Sequence, residues 1–306
     1  MIEKLKGWAS RRGYRVAWGP GLTVAGVAQE IAGRRSESQI DERFFDDQLK
    51  SMVAAEMESP EHTVVLVAKP VSACSVGFDV EGRSLEALLP PTYFRYRATF
   101  EEVRRDLAEN VFEGARVEHL AAPLKALASR LGLVDYGRNN IGYVKGTGSY
   151  FQLCGYGTDA RLPEMSDPEP GTGSLLAECE NCGICTSMCP TGAIGEDRVL
   201  LRAEHCLTYA NENAGDWPDW IGPDSHNSLV GCLECQRACP ANPELPVERS
   251  GLSFSAAETR RLLSGERSAD GQTETGIKFK LAWLGQPYIE SVLGRNLRAL
   301  LKAKGV

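Results

Sequence analysis

Eight of the ten cysteines fall between Cys179 and Pro240, and their spacing points to one kind of inorganic chemistry. The stretch opens as CENCGICTSMCP, with Cys179, Cys182 and Cys185 each separated by two residues, Cys189 after three more, and then Pro190. This is the run of a bacterial [4Fe–4S] site, in which three thiolates hold one cubane and the fourth, before the proline, reaches a second. A second set is therefore required. GCLECQRACP supplies Cys232, Cys235 and Cys239 with Pro240, and the isolated Cys206 replaces the first cysteine of the mirrored run. By the crossing rule, Cys179, Cys182, Cys185 and Cys239 take one cluster, and Cys189, Cys206, Cys232 and Cys235 take the other.

Zinc also accepts four thiolates as paired CxxC knuckles, but such a knuckle has no use for a third cysteine two residues on and a fourth backed by proline. A disulfide framework belongs to small secreted domains, and this chain is long, with no apolar centre of a secretion signal in its first twenty residues. The thiols read as ligands in a reducing cytosol. Cys74 and Cys154 stand outside both runs and read as small buried hydrophobes.

A chain of 306 residues can bury a sizeable core in one large domain or two, and 42% hydrophobic with 25% charged residues is ordinary for a soluble globular protein. No apolar run approaches the length that crosses a bilayer, so a soluble, cytoplasmic protein without a membrane partner is expected. A net charge of −7 argues against a generally basic surface for gripping phosphates and leaves room only for a local patch.

The elements that must position the cysteines follow from periodicity. Ile2, Leu5 and Ala9 predict a first helix stopped near Gly13, and YRVAWGPGLTVAG predicts a strand and turn. Phe44, Leu49, Met52 and Val53 share one side of a helix expected over Ile40 to Met57. The valine-rich run from Thr63 to Ala68 predicts a buried central strand. Residues 72–97 show no clear period and end in the aromatic and basic TYFRYR. Helices are expected over Thr99 to Val111 and Leu120 to Leu131, with a short strand over Ala115 to Glu118 between them. From Gly132 to Asp159 seven glycines and many aromatic and amide side chains predict a binding loop, since glycine lets backbone approach a ligand closely. LPEMSDPEPGTG reads as a linker, and two basic amphipathic segments, Ser255 to Leu263 and Tyr288 to Lys302, read as helices separated by a polar run. Trp217, Trp220 and His226 lie in a loop that either shields the clusters or simply packs.

The order of these pieces resembles the epoxyqueuosine reductase family, iron–sulfur and cobalamin enzymes of queuosine formation in tRNA that are related to the reductive dehalogenases. The resemblance runs from about Leu120 to Ala241 and rests on the eight cysteines with isolated Cys206, and on LKALASRLGLVDYGRNNIGYVKGTGSYFQL. In the latter, Gly137, Asn139, Gly148 and Ser149 take shared positions and Arg138 replaces a usual lysine. It implies an α+β fold: a nitroreductase-like domain binding cobalamin and substrate over residues 1–165, a ferredoxin-like double [4Fe–4S] domain over 166–250, and C-terminal helices over 251–306 that pack back on the first domain. It further implies that Gly137, Arg138, Asn139, Asn140, Gly148, Ser149 and Tyr150 contact cobalamin. Two clusters would pass single electrons to cobalt, which reduces an organic substrate, with an external donor such as a flavodoxin or ferredoxin.

The family's proton-donating aspartate is replaced by Glu118, with His119 beside it, and its Asp-Tyr-His stretch by Ala98, Thr99 and Phe100. Glu118 is the expected general acid and His119 the alternative. Because a site that hydrogen-bonds its substrate rejects analogues lacking the partner, these changes leave two substrates open: epoxyqueuosine in tRNA, or a different small molecule. A double-cluster electron-transfer protein serving a partner or corrinoid protein is the alternative function.

Overall fold

The computed structural model describes residues 1–53, 63–163, 175–195 and 200–305. Most of the expected linker after Pro163, and the end of the helix expected to reach Met57, lie outside the described residues. In chain order, α1 (Ile2–Arg11), β1 (Arg15–Pro20) and α2 (Leu22–Ser36) lead to α3 (Glu42–Phe44), a π-helical turn over Phe45–Leu49 and α4 (Lys50–Val53). Strands β2 (Thr63–Pro70), β3 (Ala73–Val80) and β4 (Arg83–Leu89) precede α5 (Tyr96–Asn110), β5 (Val117–His119) and α6 (Leu124–Arg130). Then come β6 (Asp135–Tyr136), β7 (Gly142–Tyr143), β8 (Phe151–Thr158) and the short helices α7 (Ile184–Met188), α8 (Leu207–Glu212) and α9 (Glu234–Arg237). The last described elements are β9 (Val247–Phe254), α10 (Ala256–Ser264), α11 (Gly271–Trp283) and α12 (Glu290–Ala303).

These elements form two compact units, neither continuous in sequence. The first comprises Met1–Pro70, Ala98–Gly183 and Ile194–Glu204; the second comprises Val71–Arg97, Ile184–Ala193 and His205–Val306. The division differs from the linear partition at 165 and 250: residues 71–97 group with the C-terminal segments because β3 pairs in parallel with β9.

In the first unit an antiparallel sheet runs in the order β1-β2-β8-β5. Alternate side chains of β2 enter two cores. Val64 and Leu66 pack with Val24, Val27 and Leu127, whereas Val65 and Val67 pack with Trp8, Val103 and Leu107. A strand buried on both faces shows no polar alternation, which is why its run is continuously apolar. The glycine-rich stretch expected to be loop contains β8, whose register against β2 runs from Thr63–Thr158 to Pro70–Phe151. At Gly155 an added Cβ would meet the Leu124 side chain, which packs directly over the strand there.

In the second unit a three-stranded sheet runs in the order β4-β3-β9. Val76, Phe78, Ala87 and Phe254 pack against Leu262, Ile277, Leu293 and Leu297 of the C-terminal helices, so those helices cover the hairpin of residues 73–89. The α10 helix starts at a reciprocal cap in which Ser255 Oγ accepts from Glu258 N–H and Glu258 accepts from Ser255 N–H, and it ends at Gly265 with φ +74°. The expected polar spacer before Tyr288 instead contains α11, started by Asp270, whose carboxylate accepts from Gln272 and Thr273 N–H. Among the described residues no helix is long and apolar enough to cross a membrane.

Candidate iron–sulfur centre and its neighbouring cavity

The β6–β7 hairpin is a tight turn built from GRNNI. Gly137 N–H donates to Ile141 O at 2.8 Å, Asn140 N–H donates to Gly137 O at 2.8 Å, and Asn140 sits at φ +59°. Asparagine tolerates that left-handed conformation better than most residues. Gly137 has no room for a side chain, since a Cβ would lie 2.5 Å from Asn139 Oδ1 and 2.6 Å from the Tyr143 ring. Asn139 is buried and donates to Tyr143 Oη at 2.9 Å, while its Oδ1 accepts from Ile141 N–H at 3.2 Å. Lys125 of α6 completes the turn by donating to Asn140 O at 2.6 Å and Asn140 Oδ1 at 2.8 Å.

Arg138, the remaining turn residue, faces the first cysteine run. Its backbone N–H lies 3.4 Å from Cys179 Sγ, its Nε donates to Cys182 O at 3.1 Å, and its Nη2 donates to Cys179 O at 2.8 Å. The chain entering this run is pinned to the same hairpin, since Leu176 N–H donates to Tyr136 O at 2.8 Å. On the other side of the turn, a cavity of about 700 Å³ opens onto Tyr136, Gly137 and Asn140. Ile31 and Arg34 of α2, Gln39, Leu49 of the π-helical turn, Lys125 and Ser129 of α6, and Leu175 and Leu201 also line it.

The structure therefore divides the residues expected to contact cobalamin. Gly137 and Asn140 line the cavity, Arg138 holds the cysteine loop, and Asn139 braces the turn. Gly148, at φ +79°, closes the next turn by accepting from Val144 N–H at 2.9 Å, and Ser149 and Tyr150 beyond it are buried. Glu118 and His119 are not among the residues that line the cavity. They stand on β5, the edge strand, where Glu118 lies 3.7 Å from Arg116 and His119 Nε2 lies 3.2 Å from Glu101 Oε2. The neighbouring Thr99 and Phe100 of α5 are buried, and Phe100 O accepts from Tyr156 Oη at 2.7 Å.

The unit division falls inside the first cysteine run, with Cys179 and Cys182 in the first unit and Cys185, Cys189, Cys206, Cys232, Cys235 and Cys239 in the second. Within the second unit α7 packs against α9. Burial pushes the Cys235 thiol far up, and Cys232, Cys206, Cys189 and Cys185 each oppose its ionisation further. Burial likewise raises Cys206, with Cys189 adding to the effect, and pushes Cys232 up to about 11. Cys185, Cys189, Cys206 and Cys232 thus surround Cys235. The raised thiols of Cys206, Cys232 and Cys235 become ligands when a cation neutralises the set, which is what iron does. Among the described residues no three His, Cys, Asp or Glu side chains converge on a single metal ion. A cubane does not ask them to, since each thiolate binds a separate iron corner.

Asn227, for which the sequence offers no spacing signal, donates from Nδ2 to Cys232 Sγ at 3.3 Å and accepts Leu233 N–H on Oδ1 at 3.0 Å. Next to it His226 is buried with its ring 4.4 Å from that of Trp217, and burial pushes its pKa down to about 4. The guanidinium of Arg295 covers Trp217 at 3.9 Å, so that residue is packed within the loop, whereas Trp220 is exposed and stacks on His205. Cys74 and Cys154 are fully buried, with thiols pushed up to about 11 and about 12, and are inert.

Residues 178–242 match the model of a 4Fe-4S double cluster binding domain. The chain is 33% identical over 130 residues to the epoxyqueuosine reductase of Aliivibrio fischeri, covering 42% of this chain and 33% of that protein. It is also 33% identical over 125 residues to that of Escherichia coli, covering 40% and 31%. These matches span about a third of the length of the curated relatives. A crystal structure of epoxyqueuosine reductase with a tRNA-Tyr epoxyqueuosine-modified tRNA stem loop superposes with a TM-score of 0.69 at 19% identity, covering 99% of this chain and 81% of that one. The Streptococcus thermophilus epoxyqueuosine reductase superposes at 0.68 and 15% identity, covering 98% and 80%. In fold, and in sequence around its cysteines, the chain resembles the epoxyqueuosine reductases, and its α+β architecture is theirs.

Proposed function

We propose that the protein is an iron–sulfur, cobalamin-dependent reductase of the epoxyqueuosine reductase type, acting on epoxyqueuosine in tRNA. The observation that carries this reading is that one turn, Gly137 to Asn140, touches both the ligand loop of the first cluster and the 700 Å³ cavity. Cobalamin, when bound, supplies a reduction at cobalt that a cluster alone does not. Toward such a group the cavity presents apolar Ile31, Leu49 and Leu201 for the macrocycle and the amide and hydroxyl groups of Gln39, Asn140 and Ser129 for its propionamide arms, beside the charged Glu30, Arg34, Asp41 and Lys125. Lys125 fixes the turn, and Arg138 holds the first cysteine loop.

In this reading residues 1–165, apart from 71–97, hold cobalamin and substrate, 166–250 the clusters, and 251–306 with 71–97 the supporting elements, in a cytoplasm reducing enough to spare the thiolates. Electrons come from an external carrier protein. Anaerobic protein loaded with iron, sulfide and cobalamin, then reduced, is expected to convert an epoxyqueuosine-modified tRNA stem loop to its queuosine form. Clusters with no cobalt retained would instead indicate a double-cluster carrier.

One observation favours a different organic substrate on the same machinery. Glu118 and His119 lie outside the cavity lining, Ala98, Thr99 and Phe100 supply no acid or imidazole, and the carboxylates that do line the cavity are Glu30 and Asp41. Glu118→Gln and His119→Gln are expected to keep turnover within about twofold, where loss of a general acid costs roughly 100-fold or more. Bound clusters and cobalamin without conversion of the stem loop would establish this second reading.

A further inference from the structure

In a chain of net charge −7, the segments 92–97 and 275–289 contain no aspartate or glutamate. Both belong to the second unit, and both expose cations: Arg95 and Arg97 from the first, Lys278 from the second. Large apolar rings are exposed among them, Phe279 at 64%, Tyr288 at 52% and Trp283 at 36%. Phe279, Trp283 and Arg95 form one surface. Phe279 and Trp283 lie one turn apart on α11, the Arg95 guanidinium sits 5.5 Å over the Trp283 ring, and Phe94 packs on the same ring at 5.8 Å. The surface is also held in shape. Arg95 N–H donates to Leu284 O at 3.0 Å, Gln286 Nε2 donates to Tyr93 O, and Arg95 is locked at φ +52° against Gly285 at φ +76°.

Immediately inward lies Tyr93. Its ring presses on Gly231 so closely that a Cβ there would come within 2.7 Å, and Gly231 directly precedes Cys232. Its hydroxyl donates to Glu212 of α8, the helix that begins at Cys206. Two ligands of the second cluster thus stand behind a rigid, cationic, aromatic surface. Rings and arginines together are the composition of protein interfaces, and a cluster of cations draws an acidic partner and speeds its approach. Since the first cluster shares its loop with the cavity, the second is the one left to receive electrons.

We propose that this surface is the docking site of an acidic one-electron carrier protein, which reduces the second cluster. The inference rests on the two-cluster reading above. The carrier loses one electron and the cluster gains it, with no bond made or broken. Contact is transient and of the small interface class, so ionic strength governs its rate.

The test mixes anaerobic, cluster-loaded protein with reduced flavodoxin, and in parallel with reduced ferredoxin or dithionite, and follows cluster bleaching. In Arg95→Glu/Arg97→Glu/Lys278→Glu the carrier-driven rate is expected to fall about tenfold or more and to lose its salt dependence, while the dithionite rate holds. Arg97→Glu/Lys278→Glu leaves the pinned Arg95 in place and is expected to show a smaller fall of the same kind. Equal carrier rates in the natural and variant proteins, or no faster reduction of the natural protein at low salt than at high salt by either carrier, would overturn the proposal. So would an unchanged carrier rate with weakened stem-loop RNA binding, which would make this an RNA surface. Absence of dithionite bleaching would instead remove the clusters, and with them the proposed function.

Discussion

Arg138 and Cys179, forty-one residues apart, are joined twice: the arginine N–H lies 3.4 Å from the cysteine Sγ, and its Nη2 donates to the cysteine carbonyl at 2.8 Å. Donors and positive charge beside a cluster sulfur stabilise the reduced, more negative cluster and raise its potential. Arg138→Gln is expected to lower the midpoint potential of the first cluster and leave that of the second unchanged in an EPR-monitored titration. It is also expected to cost about 2 kcal/mol of stability through the lost carbonyl anchors. Arg138→Lys keeps the charge and should fall between the two. Equal midpoints in all three proteins would show the contact to be inert.

Asn227 offers the second cluster a similar donor, from Nδ2 to Cys232 Sγ at 3.3 Å. Asn227→Leu removes it together with the acceptor for Leu233 N–H, at a cost of about 1–2 kcal/mol. The expected result is a lower midpoint for the second cluster only. The same titration checks it, and a shift in the first cluster alone would reverse the assignment of Cys232.

Cysteine spacing makes the double-cluster domain legible in the sequence, since its family model matches residues 178–242. β2 is legible too, through its continuous apolar run, and α5 and α12 through apolar residues at period 3.6. What stays hidden is long-range. β9 is mostly polar and exposed, and it is a strand because it pairs with β3. α11 carries Gly271, Gly276 and several polar residues, and it is helical because Asp270 caps it and Ile277 and Leu281 are buried. The glycines that read as a binding loop fall partly in β8, where Gly155 answers to packing with Leu124. Arg138, expected at cobalamin, grips the first cysteine loop, a contact that no local pattern encodes.

Gly294 of α12 lies against the backbone of α10, where an added Cβ would strike the carbonyl of Leu262. Backbone cannot swing aside as a side chain can. Gly294→Ala is expected to destabilise the second unit by roughly 2–3 kcal/mol despite alanine's better helix propensity. A denaturant midpoint equal to or above that of the natural protein would show that the two helices separate freely.

Arg104, and then His119, hold the Glu101 carboxyl down at about 2 from its ordinary 4.5. A depressed carboxylate contributes stability above its unfolded value and loses it as pH falls toward the folded one. The contribution is therefore present at neutral pH and vanishes between about 4.5 and about 2. Glu101→Gln should flatten the acid limb of a stability–pH curve in that window, by a small amount because the group is exposed to solvent. Identical acid limbs would mean that the pair is already broken in solution.

Iron and labile sulfide content of the anaerobically prepared protein, read with its EPR spectrum after reduction, tests the central claim most directly. The account predicts about eight iron and eight sulfide per chain and two interacting reduced clusters. Colourless protein holding two tetrahedral zinc ions would contradict it.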